Sequence, residues 1–183
     1  MSKRTPGLPQ RPRGFWPTPL EAVAPLVPLL PLRARYGEPC AGDGRLVEHI
    51  ERLLPTADCV WMSDIEPQAP GICKRDALEL DADSMPALSM FITNLPWPTT
   101  GKKGDPAIGL IRHLTSIAPL WTILPFCFAA NEYFRRVAPM CAEILPIGRV
   151  SWLENGKPGK DDSAWFLFDA ANRRPTVLHA RGA

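Results

Sequence analysis

Two glycines, Gly42 and Gly44, fall between a stretch suited to a strand and one suited to a helix, and they constrain this chain more than any other feature. Tyr36 and Gly37 can close a short strand, with Glu38 and Pro39 at its carboxyl end. Residues 40–44 make the turn, and a helix pattern begins at once. Leu46, Val47, Ile50, Leu53 and Leu54 share one face at spacings of one, three and four. A glycine turn in this place lets the backbone approach a ligand closely. It also aims the first free N–H groups of the helix into the crevice above a sheet. Glu38 sets the charge: a carboxylate there suits a cationic or hydroxyl-rich ligand, whereas a phosphate-binding loop avoids one.

The rest of the chain repeats the alternation. Thr18 can cap a helix starting at Pro19, with Leu20, Val23, Leu26 and Val27 toward the core; Pro25 and Pro28 should kink it or end it early. Residues 59–63 read as a second strand ending at Asp64, and Ile72 and Cys73 as a weak third that leads to Asp76. Residues 90–93 form a buried strand that stops at Asn94. Ala107, Ile111, Leu114 and Ala118 fit a helix face, residues 120–126 a strand, and residues 131–141 a helix. Residues 144–153 and 164–169 read as a long hairpin around the polar loop 154–163. This order predicts an α/β fold: a mostly parallel sheet, helices on both faces and a C-terminal antiparallel hairpin.

At 183 residues the chain suits one domain with a substantial core, over 15–183, preceded by a flexible basic tail over 1–14. A net charge of +2 does not by itself argue for nucleic acid. The cations are clustered, however. Lys102 and Lys103 share one loop and Lys157 and Lys160 another, where they can meet phosphates if those loops border the site. Five cysteines without a Cys-x-x-Cys pair argue against a disulfide framework or a zinc site, so no metal is expected. With no membrane-length apolar run and no signal-type region, the expectation is a reduced, cytoplasmic protein.

The string Glu38-Pro39-Cys40-Ala41-Gly42-Asp43-Gly44 resembles the cofactor loop of the class I S-adenosylmethionine-dependent methyltransferases, which have a Rossmann-like fold. The resemblance implies S-adenosylmethionine as cofactor. Glu38, Pro39, Cys40, Ala41, Gly42 and Gly44 would cradle it. Asp64, about twenty residues on, would accept ribose hydroxyls, Ile65 would pack on the adenine, and Asp76 and Ala77 would flank the adenine amine. Asn94-Leu95-Pro96-Trp97 resembles the Asn/Asp-Pro-Pro-aromatic motif of amino-methyltransferases; leucine second is also seen in ribosomal RNA adenine dimethyltransferases. Phe15-Trp16-Pro17-Thr18-Pro19 resembles the amino-terminal cofactor motif of DNA adenine methyltransferases of the gamma arrangement, which adds Trp16 and Thr18 to the cofactor-binding set; Asn94, at the end of its strand, is counted in that set as well.

The chemistry accounts for these residue types. An exocyclic amine delocalises its lone pair into the ring and is a poor nucleophile. Two carbonyl acceptors on its N–H bonds, the Asn94 side chain and the Leu95 backbone, favour a tetrahedral nitrogen with a localised pair. Pro96 biases Leu95 toward an extended conformation that aims its carbonyl. Trp97 offers a flat face to a base drawn from its stack. The expectation is a methyltransferase acting on the 6-amino group of adenine in DNA, in a compact form that looks like those of phages and mobile elements. RNA adenine or protein glutamine as substrate stays open at this point, as does a non-catalytic relative that kept the fold. The oligomeric state is not legible.

Overall fold

The computed structural model describes residues 15–97 and 106–180. The basic tail over 1–14, together with Lys102 and Lys103, lies outside the described residues.

Strands β1 (Arg35–Glu38), β2 (Asp58–Asp64), β3 (Cys73–Lys74), β4 (Met90–Thr93), β5 (Leu120–Pro125), β6 (Cys141–Arg149), β7 (Asp162–Phe168) and β8 (Val177–Leu178) form one sheet in the order β3-β2-β1-β4-β5-β7-β6-β8. All pairings are parallel except those of β7, which runs antiparallel to both β5 and β6. Strand order reverses between β1 and β4, so the crevice above their carboxyl ends is where a doubly wound sheet binds its ligand. The predicted Rossmann-like α/β architecture and the C-terminal hairpin are both present.

Alternation along the central strands feeds two cores. Phe91, Leu120, Phe166 and Phe168 point to one face, where they pack with Ile108, Ile111 and Leu114 of α3 (Pro106–Ile117). Ile92, Trp121, Ile123 and Trp165 point to the other, against α1 (Leu20–Val23) and α2 (Arg45–Leu53). Leu46, Val47 and Ile50 of α2 are buried there as the spacing predicts, while Leu53 at its end is more than a third exposed. The Trp165 indole donates to the Ala22 carbonyl at 2.7 Å, which fixes α1 to β7.

Several elements differ from expectation. The first helix is only four residues long, and a 3-10 turn over Val27–Leu29 follows the proline at position 25. Pro19, not Thr18, is its N-cap, and no side chain caps it. The helix expected over 131–141 is replaced by 3-10 turns at Glu132–Arg136 and Ala138–Met140. Pro139 denies an i→i−4 bond there, and Phe128 instead gathers Tyr133, Phe134 and Phe166 into one aromatic cluster. The sixth strand starts three residues earlier than read and ends at Arg149, so 150–153 leave the sheet. The edge strand β8 was not foreseen; two residues beside Pro175 carry no period.

Candidate active site

The crevice is built from the ends of three neighbouring strands, β2, β1 and β4. β1 ends on Glu38, which is 1% exposed, and its Oε2 has no hydrogen-bond partner among the described residues. Burial, and then the carboxylates of Asp43 and Asp64, hold the Glu38 carboxyl well above the usual carboxylate range. A buried, unpaired carboxyl is costly, and a cationic group placed beside it would relieve that cost.

After Glu38 the chain turns through Gly42 (φ +55°) and Gly44 (φ +81°). The loop is tied to the end of β2. Ala41 N–H donates to the Ser63 carbonyl at 2.9 Å, and Gly42 N–H donates to Asp64 Oδ2 at 2.8 Å. Asp64 Oδ1 accepts from Glu66 N–H at 2.7 Å. Each oxygen of Asp64 therefore already accepts one backbone bond, and one lone pair on each remains for another donor. Asp64 thus tethers the glycine loop, a task its spacing in sequence did not indicate. Arg45, at the start of α2, meets Asp43 at 3.6 Å and Glu154 at 2.7 Å, drawing the β6–β7 loop over the same end of the sheet.

Phe15 lies directly on the loop. A Cβ added at Gly42 would sit 2.2 Å from Phe15 Cε2, whereas one at Gly44 would meet only Ile72 Cδ1, at 3.7 Å. Both positions are left-handed, so alanine costs about 1–2 kcal/mol of backbone strain at either. Gly44→Ala should lower the melting temperature by roughly 2–4 °C for each kcal/mol. Gly42→Ala should lower it further, because the phenyl ring must also leave. Thermal melting of the two variants side by side checks this; equal shifts would remove Phe15 from the loop.

Asn94 follows β4 and is half-buried. Its Nδ2 donates to the Trp16 carbonyl at 3.1 Å and to Thr18 Oγ1 at 3.2 Å. Both amide hydrogens are spent on the amino-terminal segment, so Oδ1 is left as the acceptor. This explains Thr18, which is 4% exposed: its hydroxyl orients Asn94 instead of capping α1. Leu95 is buried in the α3-side core at 1% exposure, so its side chain anchors the motif. Trp97 touches both cores and stands edge-on to Trp152, with ring centroids 5.2 Å apart at 90°. Trp152 is 5% exposed and was missed in the sequence, where it reads as one more apolar residue of a strand. It arrives only because loop 150–161 folds back, with Gly159 N–H bonded to the Val150 carbonyl at 2.7 Å.

The remaining candidates separate. Ile65 is 42% exposed just after the end of β2. Asp76 caps the turn Ala77–Glu79 through a 2.9 Å bond from Leu78 N–H, and Ala77 is buried beneath it. Pro39 and Ala41 are buried in the loop. Burial, then Asp64 and Glu38, push the Cys40 thiol up, which keeps it protonated and unsuited to nucleophilic attack. Lys157 and Lys160 are exposed on the β6–β7 loop. Among the described residues no cluster of three His, Cys, Asp or Glu side chains could hold a metal ion. Nor is any described helix long and apolar enough to cross a membrane.

No protein-family model matches the sequence, and no curated protein matches it. Solved structures do match its fold. One is the methyltransferase subunit of a type I restriction-modification system from Streptococcus thermophilus, with TM-score 0.60, 11% identity, and 92% of this chain and 49% of that one covered. Another is a Listeria monocytogenes protein assigned to the class I S-adenosylmethionine-dependent methyltransferases, with TM-score 0.58, 10% identity and coverage of 90% and 63%. An Agrobacterium tumefaciens structure described as an O-methyltransferase matches with TM-score 0.56 at 14% identity, over 88% and 85%. The chain spans about half the length of the restriction-modification subunits it matches. The fold is that of the class I methyltransferases.

Proposed function

We propose that this protein is an S-adenosylmethionine-dependent methyltransferase acting on an exocyclic amine, the 6-amino group of adenine in DNA. The observation that carries this reading is the fixed orientation of Asn94. With Nδ2 donating to Trp16 and Thr18, Oδ1 is presented as an acceptor at the carboxyl end of β4, beside the reversal of strand order. The cofactor fits the residues present: buried Glu38, whose Oε2 has no partner among the described residues, suits its ammonium group, Gly44 leaves room for close backbone approach, and Asp64 keeps two lone pairs for ribose hydroxyls.

When bound, S-adenosylmethionine supplies an electrophilic methyl group on its sulfonium. Glu38 and Asp64 hold the polar ends of the crevice's occupant, and Ile65 covers a flat face. Asn94 Oδ1 and the Leu95 carbonyl accept the two hydrogens of a target amine, which localises its lone pair on nitrogen. Trp97, braced by Trp152, covers one side of the target base. Lys157 and Lys160, with Lys102 and Lys103, supply phosphate contacts. The likeness to methyltransferase subunits of restriction-modification systems supports DNA as the substrate.

Mass spectrometry of bulk DNA from an expressing host tests this, paired with label transfer from tritiated S-adenosylmethionine to DNA, RNA and protein pools. The expected result is 6-methyladenine that rises with expression and label in DNA. Label in RNA or protein alone would move the substrate, and binding without label in any pool would make the protein a non-catalytic relative.

A further inference from the structure

A cleft of about 450 Å³ opens at the same end of the sheet as the crevice, one strand beyond β4. It is lined by Phe126, Cys127, Ala129 and Ala130 after β5, and by Lys160, Asp161 and Asp162 at the entry to β7. The register places it. Thr93 of β4 pairs with Thr122, so β5 continues past the end of β4 to Pro125, which pairs with Ser163 of β7. Phe126 and Asp162 therefore follow this last pair at the carboxyl edge. Strands stand about 4.8 Å apart, so the cleft begins one to two strands, about 5–10 Å, from the line of Asn94.

Its chemistry is mixed in a particular way. Phe126 is 39% exposed, an aromatic ring on the wall of the cleft although a large aromatic core lies close by. Lys160 is exposed and makes no ion pair among the described residues. Asp162 is held by Arg149 at 4.0 Å, whereas Asp161 has no ion pair among the described residues. A ring face, a cation and an exposed carboxylate match the three parts of one nucleotide: a base to stack, a phosphate to neutralise and an exocyclic amine to accept from. The volume lies within the range of small-ligand sites and is ample for a mononucleotide.

We infer that this cleft binds an unstacked nucleotide neighbouring the target, with its base on Phe126, its phosphate on Lys160 and an amino-bearing base edge at Asp161. The inference rests on the proposed action on nucleic acid and adds to it a second recognition point on this chain, outside the Asn94 motif. The cleft favours adenine, cytosine or guanine over thymine at that neighbour, because thymine has no exocyclic amine to offer Asp161.

The test is fluorescence anisotropy of labelled single-stranded DNA twelve-mers of A, C or T with the full chain. Phe126→Ala should weaken binding about five- to a hundredfold, the range of one base–aromatic stack, while Phe126→Tyr retains it. Lys160→Ala should reduce the magnitude of the salt slope by about 0.7, one phosphate contact on a single strand. Asp161→Ala, which removes the acceptor, should erase the preference over the T oligomer. Calorimetric S-adenosylmethionine binding, equal in all variants, reports that each is folded. Wild-type affinity and salt slope in Phe126→Ala and Lys160→Ala would overturn the inference and leave the proposed activity standing. DNA left unmethylated by a wild type that still binds these oligomers through Phe126 would overturn the activity instead. A wild type that binds no oligomer overturns the inference, and 6-methyladenine in host DNA then still decides the activity.

Discussion

Asn94→Ala is expected to lower methyl-transfer turnover about a hundredfold or more, the scale set by deleting one preorganised polar group that stabilises a transition state. Asn94 spends its two amide hydrogens on Trp16 and Thr18, and only Oδ1 remains to accept from a target amine. Alanine removes that acceptor and leaves the Leu95 carbonyl alone. Thr18→Ala removes only the orienting bond at 3.2 Å, so it should cost less in turnover and leave substrate affinity nearly unchanged. Cofactor affinity should survive in Asn94→Ala, since Glu38, the glycine loop and Asp64 remain. Single-turnover label transfer, with calorimetry of the same preparations, separates the effects. Transfer by Asn94→Ala at the wild-type rate would remove the motif from the chemistry.

Glu38→Gln should have two opposite effects: weaker S-adenosylmethionine binding and a more heat-stable free protein. Loss of a charge-assisted bond to the ligand ammonium is worth about 1.5–3 kcal/mol, or roughly ten- to a hundredfold in affinity. Stability moves the other way because burial, Asp43 and Asp64 raise the carboxyl's pKa above its ordinary value of 4.5 in the folded chain. The folded state then holds this proton more tightly than the unfolded state does. Its contribution to stability is full below pH 4.5 and is lost as pH rises through the raised folded value. The variant carries no such loss, so its advantage in melting temperature should grow from pH 4.5 upward. Ligand binding by the wild type should tighten over the same window as the carboxyl ionises, with release of a proton. A melting-temperature difference that stays flat across pH would show that Glu38 is not held protonated.

The features legible in sequence were those fixed by neighbours along the chain. Glu38, Gly42, Gly44 and Asn94 all fall at strand ends, and a strand end followed by proline or glycine marks itself. The order of strands and helices gave the layered sheet for the same reason. Loop 150–161 shows where that reasoning stops. Trp152 braces Trp97, and Glu154 reaches Arg45, only because the chain doubles back across the sheet. Nothing local to residue 152 separates such a tryptophan from a strand residue. Asp64 was placed correctly at the end of β2, yet its bond to Gly42 could not be read, because a ligand's donor and a loop's donor ask the same of a carboxylate. The 3-10 turns at 132–140 failed differently: the apolar spacing there fits a helix, and Pro139 together with the aromatic cluster outweighs it.

The stitching of the first helix to the last strands sets a clock on the birth of the site. Ala22 is held by Trp165, Glu21 by the Ser151 backbone N–H, and Arg45 by Glu154. A ribosome adding about 5–20 residues per second needs roughly 7–30 s to pass from position 22 to position 165. For the second half of that interval the glycine loop and the Asn94 motif have been made, but the elements that clamp them have not. The nascent chain therefore leaves the crevice unclamped until its final hairpin is released, and the crevice takes shape with completion of the fold rather than piece by piece along it.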